Sequence, residues 1–222
     1  MVEILLDLGN DLSLYWGMTE TTASDTMRGR GRPREFDMNE ALDKALRVFS
    51  ERGYHATSIG NLTDAMQLAS GSVYKAFKDK RGVFLAAFDR YRTVRSGKLR
   101  AVVDTDKTGY ERIRDALTLY ADVSHGQTGK LGCLVVSCAS ELATFDPEVA
   151  KKVAAAMDSN EAVLRDLIEL GRNDGSVPAH VDGKATARLL LCLVQGMRVV
   201  GKTGRTREEM MAAVTVAMKT LT

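Results

Sequence analysis

Apolar residues recur along this chain three and four positions apart and hardly anywhere in alternation. Met38, Ala41, Leu42, Ala45, Leu46 and Phe49 make one such stripe, and residues with that spacing share one face of an α-helix. Asp37 stands where an N-cap belongs, Glu40 follows at capping-box spacing, and Gly53 stops the helix. A second stripe, Ile59, Leu62, Ala65 and Met66, comes after Thr57 and Ser58, either of which can cap it. A tight break at "QLA" leads into a third short helix in "ASGSVYKAFKDK", residues 69–80. A fourth, "VFLAAFDRYRTVRSGKLRAVV", is long, aromatic at its start and basic toward its end.

The pattern continues downstream. Tyr110 to Ser124 is amphipathic through Ile113, Leu117, Tyr120 and Ala121. Residues 131–143, "LGCLVVSCASELA", are apolar on most sides and are expected to be buried. Pro147 sits at a favoured first-turn position of a helix that can run through residue 171. A loop, "NDGSVPAHVDG", separates it from residues 184–201, which are apolar almost all round, as a core or interface helix must be. A last amphipathic run closes the chain. No strand-like alternation competes, so the fold class is all-α.

Charge sharpens this picture. The net charge is only +2, but it is unevenly spread. Residues 1–27 carry five acidic side chains and no Lys or Arg, whereas residues 28–100 carry 16 basic and 8 acidic side chains. A basic block in a near-neutral chain is the electrostatic footprint of a polyanion binder. Arg28, Arg30, Arg32 and Arg34 alternate with Gly and Pro in "RGRGRPREFD", which reads as a flexible basic arm. The expected domains are a weakly ordered arm (1–34, acidic then Arg-rich), a small helical domain (35–82) and a larger helical body (83–222). Their junction falls inside the long fourth helix. Met18 and Met27 are candidate alternative starts.

Other classes find little support. Three cysteines without a CxxC pair argue against a disulfide scaffold or a zinc site. No apolar run approaches the roughly 18 residues of a membrane span, and the first residues lack the basic start of a signal peptide, so a cytoplasmic protein is expected. His55, His125 and His180 are scattered, and no nucleophile, phosphate-loop or di-carboxylate metal motif is present. We therefore expect no enzyme activity, no metal and no cofactor.

On a helical wheel the third helix puts Val73, Ala76 and Phe77 on one face. Gly71, Lys75 and Lys78 lie opposite, with Tyr74 on the shoulder. The outward side is small at its first turn and basic further on. Small residues let a backbone approach base edges in a major groove, a helix N-terminus suits phosphate, and Tyr and Lys fix register on the DNA backbone. Two short helices joined by a tight turn make a helix-turn-helix.

Residues 53–88 resemble the DNA-binding domain of the TetR/AcrR-type transcriptional repressors. The likeness rests on Gly53-Tyr54, Thr57-Ser58, Leu62, Gly71-Ser72-Val73-Tyr74, Phe77, Lys80 and Phe84. It implies that Thr57 and Ser58 cap the second helix and touch phosphate. It also implies that Ser70, Gly71, Ser72, Val73, Tyr74 and Lys75 form the recognition helix, and that Tyr74 and Lys80 clamp the DNA backbone. Arg30, Arg32 and Arg34 would reach an adjacent minor groove. The sequence departs from the family at Gln67 and Ala69, where a turn glycine and a small hydroxyl are usual, and at Thr63 and Met66.

For the body the resemblance implies a homodimer on palindromic double-stranded DNA, released by a small-molecule effector whose identity is not legible. Candidate dimer helices are 148–171 and 184–201, and candidate pocket residues are Tyr110, Tyr120, Cys133 and Cys138. Cys133, near a helix start, also raises a thiol-sensing repressor as an alternative. A DNA-binding protein without ligand control is a further one.

Overall fold

The computed structural model describes residues 37–222, all of whose regular elements are helical. The arm residues Arg30, Arg32 and Arg34 lie outside the described residues. Two compact units emerge, one ending at Tyr91 and one comprising Arg92–Thr222. The division falls inside one continuous helix, further along it than residue 82.

In the first unit, α1 spans Met38–Arg52, α2 Ile59–Met66, α3 Ser70–Phe77, and α4 begins at Lys80 and ends at Val103. The Asp37 carboxylate accepts from the Asn39 and Glu40 N–H groups and caps α1. Glu40 does not complete the capping box as its spacing predicts; its carboxylate pairs with Lys44 at 2.8 Å instead. Leu42, Leu46, Phe49, Leu62, Met66, Val73, Phe84 and Phe88 form the buried centre. Phe84 holds it together by edge contacts to Phe49 and Tyr54, with ring centroids 5.2 and 5.0 Å away. Arg90 of α4 grips Asp43 of α1 through two parallel hydrogen bonds of 3.1 and 3.0 Å.

The second unit contains α5 (Gly109–Asp122), α6 (Gly126–Leu131), α7 (Leu134–Glu141), α8 (Pro147–Asn173), α9 (Gly183–Val200) and α10 (Arg207–Met218). Thr108, Asp146, Asp182 and Thr206 cap α5, α8, α9 and α10 with their side chains. Pro147 occupies the first turn of α8, and that helix runs unbroken through the expected region. Ile113, Leu117, Leu164, Ile168, Leu190 and Val194 centre the core.

One expectation holds only in part: residues 131–143 are not buried throughout, since Ala139 and Ser140 are exposed, while the helix starts at Leu134 with Cys133 at its N-cap, just after Gly132 (φ 75°). The short α6 before them has no apolar stripe and was not foreseen. Among the described residues no helix is long and apolar enough to cross a membrane, and no group of His, Cys, Asp and Glu could hold a metal ion.

Candidate nucleic-acid interface

The α2–α3 pair is shaped by its ends. Ser58 caps α2, accepting from the Asn61 N–H, while Asn61 Oδ1 accepts from the Ser58 N–H at 3.0 Å. Thr57 does neither job expected of it. Its side chain is buried, and its hydroxyl donates to the Gly53 carbonyl at 2.7 Å. Only one of two adjacent hydroxyls can face the helix end; the other turns inward and pins the preceding loop. Thr57 therefore holds the loop's shape and has no side-chain path to phosphate.

At the far end of α2, Gln67 takes the left-handed conformation with φ 57° and ψ 39°. The N–H groups of Gln67 and Leu68 close back on the Asp64 and Thr63 carbonyls, a Schellman-type stop achieved without glycine. Lys44 of α1 donates to Gln67 Oε1 at 3.2 Å and steadies the turn.

α3 then starts with no side-chain cap, because Ala69 holds the N-cap position and Ser70 lies already inside the helix. The Ser72 and Val73 N–H groups both use the Ala69 carbonyl, at 2.8 and 3.2 Å. The Ser70 and Gly71 N–H groups belong to the first turn, which has no intrahelical acceptors. An exposed, uncapped first turn with Ser70, Gly71 and Ser72 on it is suited to an incoming anion.

The faces of α3 follow the wheel except at Ala76, and Val73 departs from the base-contacting role that the resemblance implied. Val73 and Phe77 point inward, with Val73 only 1 % exposed. Val73 is thus a core residue, and its side chain cannot meet a base. Ala76, assigned to the inner face, is exposed. The presented side comprises Ser70, Gly71, Ser72, Tyr74, Lys75, Ala76 and Lys78. A Cβ added to Gly71 would meet nothing within 4 Å, so nothing inside the protein requires a small residue there.

The α3–α4 junction is tight. Lys78 adopts φ 70°, and the Asp79 N–H turns back to the Phe77 carbonyl at 2.9 Å. Asp79 Oδ1 caps α4 by accepting from the Gly82 N–H at 2.7 Å. A Cβ on Gly82 would stand 1.8 Å from the Phe77 carbonyl oxygen, so this crossing admits glycine alone. Lys80 reaches back to the loop before α2, donating to the Tyr54 carbonyl at 3.1 Å with its Nζ 4.4 Å from the Tyr54 ring centroid. His55 is exposed beside that ring.

The pocket candidates separate. Tyr110 lies at the start of α5 and Tyr120 near its end, about 15 Å apart at the helical rise. Tyr120, Cys133 and Cys138 share an electrostatic neighbourhood. Burial raises the Tyr120 phenol above its ordinary value, and burial likewise pushes the Cys138 thiol up to about 12. Cys133 is half-buried at the N-cap of α7, and no disulfide forms among the described residues.

This geometry defines a helix-turn-helix regulator with a separate helical body. The family model for bacterial regulatory proteins of the tetR family matches residues 41–87, and a tetracyclin repressor-like C-terminal domain matches residues 109–217. The chain belongs to the tetR family of transcriptional regulators. It is 28% identical over 185 residues to the HTH-type transcriptional repressor ComR of Escherichia coli K12, spanning 83% of this chain and 88% of ComR. It is 26% identical over 159 residues to the activator FasR of Mycolicibacterium smegmatis, spanning 71% of this chain and 69% of FasR. A cysteine variant of the TetR-family regulator CifR, solved on 26-bp double-strand operator DNA, superposes with a TM-score of 0.76 at 29% identity, covering 85% of this chain and 98% of CifR's.

Proposed function

We propose that the protein is a ligand-responsive repressor that binds a palindromic operator as a homodimer and is released by a small-molecule effector. The observation that carries the DNA-binding half is the uncapped, exposed first turn of α3, followed by outward Tyr74 and Lys75. Ser70, Gly71 and Ser72 approach the base edges. Ser58, Tyr74, Lys75 and Lys80 set register on phosphates. Such a protein works where the bacterial chromosome is, in the cytoplasm.

Reading a palindrome requires two recognition helices about one helical turn of DNA apart. α9 supports the dimer. Its covered side packs in the core, while Ala185, Leu189, Cys192, Gly196 and Val199 follow one another at helical spacing and are exposed. Beside this stripe Arg188 forks onto Glu161 of α8, which holds that carboxylate below its ordinary range. The charge at the edge is thereby paired. Two helices from each subunit then make a four-helix contact.

Binding to selected genomic fragments, followed by salt titration on palindromic and random DNA, tests this reading. A regulator prefers its operator by at least about 10³-fold. A uniform affinity would instead describe a DNA-binding protein without site control. Within the body, the half-buried position of Cys133 at the N-cap of α7 favours it over Cys138 for a thiol-sensing variant of the same function. If Cys133→Ser keeps full oxidant response of DNA binding, that variant fails.

A further inference from the structure

The loop between α1 and α2 carries a histidine on a tied surface turn. Gly53 opens the loop with a φ of 77°, and the Thr57 N–H closes back onto the Tyr54 carbonyl at 3.3 Å. His55 and Ala56 form the tip of that turn, and both are exposed. Its flanks are held. The buried Thr57 hydroxyl donates to the Gly53 carbonyl at 2.7 Å, and the Tyr54 carbonyl also accepts from Lys80 Nζ of α4. The Tyr54 ring packs on Phe49 and Phe84, with centroids 6.1 and 5.0 Å away. The His55 ring stands against the same phenol, with 5.5 Å between centroids and an angle of 83°. Such an edge contact fixes the direction of an otherwise free side chain.

The neighbours of His55 are groups assigned above to phosphate. Ser58, three residues on, caps α2, and Lys80 lies with its Nζ 4.4 Å from the Tyr54 ring centroid. His55 therefore shares a supporting ring with one phosphate contact and a short loop with another. The first helix of a helix-turn-helix crosses the DNA backbone, and this loop leads into that helix. The charged groups nearest the tip are Lys80 of α4 and, in the last turn of α1, the exposed Glu51 and Arg52. Glu51 faces Arg47 at 4.0 Å. Among the described residues no carboxylate pairs with His55, so a positive charge there is available to an incoming anion. Histidine differs from the lysines and arginines beside it in one respect: its charge ordinarily appears and disappears between pH 5 and 8.

We propose that His55 is a further phosphate contact and makes the grip on DNA depend on pH. Its imidazolium donates to a phosphate oxygen next to those met by Ser58 and Lys80, and the neutral ring loses the charge-assisted part of that bond. This rests on the reading of the α2–α3 pair as the DNA-binding element and deepens it. Phosphate favours the charged ring, so the DNA-bound protein holds more protons than the free protein. Affinity then rises as pH falls through the range in which histidine titrates, and the gain is lost as pH rises. A backbone contact carries no sequence information, so the gain applies to every duplex.

Fluorescence anisotropy of the full chain on a random-sequence duplex tests this without knowledge of the operator. Affinity is measured at about pH 6 and about pH 8, at fixed ionic strength and then across a salt series. The wild type should bind about three- to tenfold more tightly at the lower pH, with a salt slope steeper by about 1. His55→Gln keeps a polar side chain without the titration and should lose both differences. His55→Arg should bind equally at both pH values, at the tighter level. Melting of each protein at both pH values shows that the folded fraction is the same in every measurement. The proposal is overturned if the wild type binds duplex with no pH difference, or if His55→Gln retains the wild-type difference. A wild type that binds no duplex at either pH would overturn the DNA-binding reading and this contact with it.

Discussion

Lys80 Nζ donates to the Tyr54 carbonyl oxygen at 3.1 Å and lies 4.4 Å from the centroid of the Tyr54 ring. One ammonium thereby ties the first turn of α4 to the loop that leads into α2. Part of its donor capacity is already used inside the protein, which makes it a structural tie as well as a phosphate clamp. Lys80→Ala should lower stability by about 1 kcal/mol through the lost hydrogen bond and cation–π contact. It should also weaken binding to every DNA sequence and reduce the salt slope by about 1. A variant with the wild-type slope and a lower melting temperature would confine Lys80 to the structural role.

Two glycines on either side of the recognition helix should behave oppositely. Gly82→Ala forces a Cβ against the Phe77 carbonyl, a backbone atom that cannot step aside. A cost of about 2–3 kcal/mol is expected for such overpacking, with loss of DNA binding because α3 itself must shift. Gly71→Ala has open space and gains helix propensity, so its melting temperature should hold or rise slightly. Its operator affinity should nevertheless fall, because the added methyl group stands where the DNA approaches. Circular dichroism melts and fluorescence anisotropy on one operator distinguish the two. Unchanged affinity in Gly71→Ala would remove that residue from the interface.

The helical frame was legible in the sequence because it is local: apolar stripes at three- and four-residue spacing marked α1, α2 and α5, and Pro147 marked the first turn of α8. What was not legible depends on backbone geometry and packing that residue type alone does not set. Thr57 and Ser58 are chemically interchangeable as caps, yet it is Thr57 that turns inward and donates to the Gly53 carbonyl. Gln67 stops α2 without glycine because two backbone N–H groups and Lys44 support the turn. Ala76 sits at the margin of the wheel, where an eight-residue helix gives its neighbours the deciding vote. A buried Arg198 runs against the expectation that arginine stays at the surface, and the six residues of α6 carry no periodicity to detect. The outward face of α3 could be read because DNA demands recognisable residue types; a pocket for an unnamed effector makes no such demand.

His125 makes stability fall with acid in a range where most side chains do not titrate. Burial is the largest influence on it and lowers its pKa below 6.5, with Arg207 acting in the same direction and Asp122 opposing. The unfolded chain then binds the proton more tightly than the fold does. The contribution is fully present above pH 6.5 and is lost as pH falls through the lower folded value. The carboxylates of Glu111, Glu161, Asp174 and Glu209, all lowered by hydrogen bonds or ion pairs, add losses only below about pH 4.5. His125→Asn keeps a residue suited to the N-cap of α6 and removes the titration. Its melting temperature should therefore change less than that of the wild type between pH 7.5 and pH 5 (about 7.5 to 5 spans the unperturbed histidine value). Parallel curves for the two proteins would show that His125 is not the group responsible.

The exposed side of α9 yields the sharpest test of assembly. Leu189 and Val199 are 52% and 51% exposed, separated by Cys192 and Gly196 on the same stripe. In an isologous contact each of these residues meets the same patch on a second copy. A carboxylate placed there is repeated twice within one interface. Leu189→Asp with Val199→Asp should therefore yield a monomer by light scattering, with helicity retained because neither side chain belongs to the core. Palindromic binding should collapse, since each recognition helix must then pay its association entropy alone. Cys192 supplies an independent readout: its thiol should resist alkylation in the wild type and react quickly in the double variant. A dimer that survives both substitutions, with Cys192 equally reactive in the two proteins, would place the contact elsewhere and leave this stripe without a partner.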